Sequence, residues 1–98
     1  MIKIFGVPQK RVHIFVKGRV QGVYFRQGMK DFAEKKNVTG WVRNLQDKRV
    51  EAVLEGQDSD VDLVIEWSYV GPPNAIVDNV EIINENYKGE FSKFEILI

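Results

Sequence analysis

Cysteine is absent from the 98 residues, which excludes disulfides, thiolate nucleophiles and cysteine-built zinc sites and fits a reducing compartment. Histidine occurs once, as His13, with no partner motif around it. Ser59, Ser68 and Ser92 lack the strained strand-to-helix context of a serine nucleophile. No apolar stretch approaches the roughly 20 residues that span a bilayer, and Met1 to Lys10 lacks the apolar segment and small-residue cleavage site of a signal peptide. The expected location is therefore cytoplasmic, with no membrane partner. Low-complexity runs and internal repeats are also missing, so the chain is read as ordinary globular sequence.

The most informative shortage is local. The first 30 residues contain no Asp or Glu but seven basic side chains: Lys3, Lys10, Arg11, Lys17, Arg19, Arg26 and Lys30. All 14 acidic residues lie beyond them, although the formal net charge is zero. Such segregation marks an anion site or a nucleic-acid surface, unless neighbouring acids cancel it in the folded chain.

A chain of this length suits a single domain. Residues 11–98 are read as that domain, and residues 1–10 as an N-terminal extension free to move as an arm. Val12, Ile14 and Val16 alternate as in a half-buried strand. After a loop bracketed by Gly18 and Gly22, Phe25, Met29, Phe32 and Ala33 form the stripe of an amphipathic helix expected from about Val23 to Lys36. Thr39 to Asn44 and Val50 to Glu55 predict a hairpin with Val42, Ala52 and Leu54 inward. A second helix, capped by Asp58 or Ser59, carries Val61, Val64 and Ile65 on its apolar face and stops at Gly71-Pro72-Pro73. Asp58, Asp60 and Asp62 suit that helix start better than a metal site. Val77, Val80 and Ile82 predict a fourth strand, irregular at Asp78 and Asn79, and Phe94 to Leu97 a fifth.

The order β-α-β-β-α-β-β predicts an α+β domain: a mainly antiparallel sheet with two helices on one face, the ferredoxin-like split β-α-β arrangement. That architecture hosts enzymes, RNA binders and sensors alike, so function must come from particular residues. The segment from Lys17 to Arg26 leaves a strand, crosses a glycine-bracketed loop and enters a helix. A helix start points unpaired N–H groups and partial positive charge at the loop, which suits an anion. Arg26 is a cation in that first turn, where the macrodipole disfavours it by roughly 0.3–1 kcal/mol. Its planar guanidinium is suited to a phosphate oxygen pair. By residue type alone, Arg26 reads as a solvated helix residue and Asn44 as a turn residue. The loop lacks both the Gly-Lys-Ser/Thr ending of a nucleotide-triphosphate cradle and the dinucleotide fingerprint.

Gly18-Arg19-Val20-Gln21-Gly22-Val23-Tyr24-Phe25-Arg26 and Gly40-Trp41-Val42-Arg43-Asn44 resemble the two signature segments of the acylphosphatases. The similarity extends from about Arg11 to Leu97. It implies hydrolysis of acyl phosphates, with phosphate held by the loop amides of Arg19, Val20, Gln21, Gly22 and Val23 and by Arg26. It also implies that Asn44 positions the attacking water and that neither metal nor cofactor is required. A monomer with small-molecule partners only, the acyl phosphate and inorganic phosphate, is expected. Two departures stand out: Leu45 to Arg49 replaces a turn that often reads Pro-Asp-Gly, and Tyr24 stands where relatives often carry glycine or another aromatic. Trp41, within the second signature, is a packing residue or a border of the site. The alternative function is a non-catalytic acylphosphatase-like binding domain. An RNA-binding module is disfavoured because the aromatic platform of such sheets is missing.

Overall fold

The structure, a computed structural model, describes residues 6–98, so Met1 to Phe5 of the expected extension lie outside the described residues. Five strands and two helices follow in the order β1 (Gln9–Arg19), α1 (Phe25–Lys35), β2 (Thr39–Asn44), β3 (Val50–Gln57), α2 (Asp58–Val70), β4 (Ile76–Glu85) and β5 (Phe94–Ile96). The strands form one sheet in the order β4-β1-β3-β2-β5, antiparallel except for the parallel pair β2 and β5. Both helices pack on the same face, giving the ferredoxin-like α+β arrangement. Gln9 and Lys10 already belong to the sheet, paired with Gln57 and Gly56.

Alternation decides which face is covered. Val12, Ile14 and Val16 are fully buried beneath the helices and lie opposite Leu54, Ala52 and Val50 of β3. The helices contribute Phe25, Met29 and Ala33 from α1 and Val61, Val64, Ile65 and Ser68 from α2. Ser68 is tolerated there because its hydroxyl donates to Val64 O at 2.9 Å. Trp67 joins the two helices, its ring 5.1 Å from Phe25 and 6.2 Å from Phe32. Gly28 makes room for it, since a Cβ there would lie 2.8 Å from the Trp67 ring.

Helix α1 starts at Phe25, two residues later than the periodicity predicts, because Gly22 (φ 75°) and Tyr24 (φ 64°) hold left-handed conformations that break the helical path. Helix α2 begins at Asp58, with Gln57 at its N-cap and no side-chain cap hydrogen bond. The capping expected of Asp58 or Ser59 is thus corrected. The Asp58 carboxylate instead meets Lys10 Nζ at 3.3 Å beside Asp62 at 2.6 Å, and the Asp58 N–H donates to Pro8 O. The irregularity expected in the fourth strand is present: the β1–β4 register shifts at Lys17/Gly18, pairing Asn79 and Val77 but skipping Asp78.

The long β4–β5 connection is fastened by Glu55, whose side chain is only 1% exposed. Its carboxylate accepts the N–H groups of Lys88, Gly89 and Glu90 at 2.8, 3.1 and 3.0 Å. Arg11 approaches the same carboxylate at 3.4 Å and also binds Glu85 and Glu90. Burial alone raises the Glu55 pKa, but the three N–H donors and Arg11 outweigh it and hold the carboxyl below its usual range. A depressed folded-state pKa stabilises the fold fully above the unfolded value, and the contribution is lost as pH falls through the folded value. Glu55→Gln is therefore expected to lower unfolding free energy at pH 7 by about 2 kcal/mol and to blunt the acid sensitivity of the wild type, as read by urea denaturation across the acid range.

Candidate active site

The site is built where β1 leaves the sheet. Gly18 has φ 135°, and a Cβ there would stand 2.2 Å from Ile76 O, so only glycine lets β1 run this close to β4 before turning away. Beyond Arg19, the chain spans Val20 to Tyr24 without repetitive structure and enters α1. Val20 and Val23 are buried and pin the loop to the core, while Gly22 stays open to solvent. Among the described residues, the N–H groups of Val20, Gln21, Gly22 and Val23 donate to no protein acceptor.

Arg26 follows on the first turn of α1, which carries no acidic residue. A cavity of about 450 Å³ opens here, lined by Val20, Gly22, Tyr24, Phe25, Arg26, Gln27 and Ile96. Tyr24 stands at its mouth, 82% exposed. The charge segregation in the sequence resolves into two groups. Lys10 and Arg11 are neutralised by carboxylates, whereas Lys17, Arg19, Arg26 and Lys30 have no ion-pair partner among the described residues. Within this basic segment, the cations without a carboxylate thus include those on either side of the loop, Arg19 and Arg26, and their field favours an anion.

Asn44 comes from β2, two residues beyond the fully buried Val42 and so on the same, helix-covered face. Val42 pairs with Ile96, the β5 residue that lines the cavity. Asn44 Oδ1 is buried and has no hydrogen-bond partner, a rare state for an amide oxygen and one that a donor from outside the protein would relieve. Of the predicted residues, Val20, Gly22 and Arg26 line the cavity directly. Arg19, Gln21, Val23 and Asn44 do not, although Gln21 and Val23 belong to the same loop and Arg19 ends the strand that enters it. Arg43 and Trp41 alternate to the opposite face, where Arg43 meets Glu51 at 2.6 Å and lies 5.3 Å above the Trp41 ring. Trp41 therefore does not border the site. A larger cavity of about 810 Å³ lies on the sheet's open face, lined by Phe15, Lys17, Asp47, Arg49, Asp78 and Glu81 among others. Its mixed charges and its lack of Arg26 and the loop residues separate it from the candidate site.

The turn after Asn44 closes without a glycine. Lys48 takes the left-handed conformation at φ 80°, and Asp47 accepts the Arg49 N–H at 3.1 Å and Arg49 Nε at 2.9 Å. The Asp47 carboxyl is held below its usual pKa by the Arg49 backbone N–H foremost, with the guanidinium adding to it.

A family model for acylphosphatases matches residues 12–96. The acylphosphatase of Pyrobaculum calidifontis is 61% identical over 88 residues, covering 89% of this chain and 80% of that relative. An acylphosphatase from Bacillus subtilis superposes with a TM-score of 0.87 at 31% identity, covering 91% of this chain and 99% of the other. One from Coxiella burnetii gives 0.86 at 36% identity over 91% and 93%. With the loop, its flanking arginine and the asparagine strand arranged as described, this chain belongs to the acylphosphatase family.

Lys48 supplies a test of the turn. Lys48→Gly is expected to leave the fold intact, whereas Lys48→Val should destabilise it by about 1–3 kcal/mol, because a β-branched residue resists positive φ. Thermal denaturation of the two variants checks this.

Proposed function

We propose that this protein hydrolyses acyl phosphates to a carboxylate and inorganic phosphate. In this reading the phosphate lies against the N–H groups of Arg19 to Val23 and the Arg26 guanidinium, and Asn44 holds the attacking water. The observation that carries it is the meeting of loop amides lacking an acceptor with a cation lacking a carboxylate, on one cavity beside a helix start. Family membership supports the same reaction.

The chemistry asks little beyond positioning. Phosphoryl transfer passes through a loose transition state whose charge is spread over the equatorial phosphate oxygens, where Arg26 and the loop amides act. The water oxygen bonds to phosphorus as the bridging P–O bond breaks. The acyl group leaves with that electron pair as a carboxylate, and the water's protons pass to phosphate and solvent. A carboxylate departs unprotonated, so no general acid is needed, in keeping with a site that holds no histidine or carboxyl. The partnerless Asn44 Oδ1 can accept a hydrogen from the water while the amide NH₂ donates to phosphate.

In this reading the anion's charge is met by N–H donors and the reaction is metal-independent; the reading also includes a cytoplasmic location and a monomeric enzyme. Arg26→Ala is expected to abolish inhibition by inorganic phosphate and to cut turnover of a simple aryl acyl phosphate roughly 10³-fold. Near-normal turnover in that variant would mean the site is misassigned. For Asn44→Ala, kcat should fall roughly 100-fold while the inhibition constant of phosphate changes by less than about threefold. Turnover should be indifferent to a chelator, and strong inhibition by one would sink the metal-independent mechanism.

A further inference from the structure

Gln21 lies within the loop, yet its side chain reaches neither the cavity nor the core. Nε2 lies 2.8 Å from Leu45 O and 2.9 Å from Arg49 O, so both of its hydrogens go to carbonyl groups. Those carbonyls belong to the two ends of the β2–β3 turn, where the Leu45 N–H donates to Arg49 O at 2.8 Å. Asn44 directly precedes Leu45 and pairs with Val50, directly after Arg49. One primary amide thus spans 24 and 28 positions of sequence to grip the turn on either side.

The side-chain type is specific to the task. Two N–H groups on one nitrogen match two carbonyl acceptors, which a carboxylate of the same shape cannot do. With both hydrogens committed, Nε2 has none left to offer a phosphate. The turn needs such a grip: Gln46, Asp47 and Lys48 are exposed, and Lys48 is held at φ 80° against the preference of a non-glycine residue. Asn44 needs it as well, because no protein group binds Oδ1 and the amide is aimed by the backbone that carries it. Reaction rates respond to displacements of about 1 Å by as much as 100-fold.

We propose that Gln21 is a positioning residue that fastens the phosphate-facing loop to the turn carrying Asn44, and so fixes where the water stands relative to phosphorus. This rests on the roles given above to the loop and to Asn44. Gln21→Met keeps the length of the side chain and removes both donors, which makes it the variant of choice.

Steady-state hydrolysis of an aryl acyl phosphate and inhibition by inorganic phosphate would be compared in wild type, Gln21→Met, Asn44→Ala and the double variant. Amide hydrogen exchange of Leu45 would be read alongside, with Ala52 of β3 as the internal reference. Gln21→Met should lower kcat about 10-fold and leave phosphate inhibition within about threefold, and in the Asn44→Ala background it should change kcat less than about twofold. Leu45 exchange should quicken about 10-fold in Gln21→Met with Ala52 unaffected. Equal loss of kcat in both backgrounds, parallel loss of kcat and phosphate inhibition, or unchanged Leu45 exchange would each overturn the proposal. Inactive wild type would overturn the functional reading and the catalytic role of Gln21 together. An active wild type with an indifferent Gln21→Met would overturn the role of Gln21 alone.

Discussion

Consecutive backbone amides without a protein acceptor are uncommon in folded chains, because most backbone donors pair with another peptide group or a side chain. The loop from Val20 to Val23 presents four of them, and much of the surrounding architecture serves to keep them that way. The β1–β4 ladder, its register shifted at Lys17/Gly18, ends at Arg19, just before the loop. Buried Val20 and Val23 anchor its two sides, and the left-handed Gly22 and Tyr24 delay the helix until Phe25. Relaxing any of these would let the amides join a strand or a helical turn and lose their common direction.

The same constraint explains how charge is distributed. Arg11 and Lys10 serve structure, each surrounded by carboxylates at the strand and helix ends remote from the loop. Arg26 has no such neighbour and sits where the helix dipole makes a cation least welcome. Under the proposed reading an anion offsets that local cost, and rules of stability are commonly broken at functional sites. Neutrality of the whole chain therefore coexists with cations near the loop that pair with no carboxylate among the described residues.

Much of this was legible in the sequence. The alternation of Val12, Ile14 and Val16 and the stripe of Phe25, Met29 and Ala33 name the covered face, because periodicity is a local property. The loop and Arg26 were legible too, as a breach of local preference. Facing was available but needed stricter use of alternation: with Val42 inward, Trp41 and Arg43 had to point away. Other features depend on contacts distant in sequence. The bonds from Gln21 to Leu45 and Arg49 require the β1–β3–β2 register before they can be imagined. The left-handed Tyr24 and Lys48 occupy conformations that their residue types disfavour, so composition gave no sign of them. Asp58 looked like a cap because its competing partner, Lys10, comes from the far end of β1.

Strand order has a kinetic consequence. β1 occupies an interior position and pairs only with β3 and β4, whose paired residues begin at Val50 and end at Glu85. Among the described residues, the only hairpin between sequence neighbours is β2–β3. The sheet cannot zip up outward from the amino terminus; a long stretch of chain must be closed into a loop before β1 gains a neighbour. Loop-closure entropy of that kind slows the search for the native topology and places this chain among the slower-folding small domains, in milliseconds to seconds rather than microseconds.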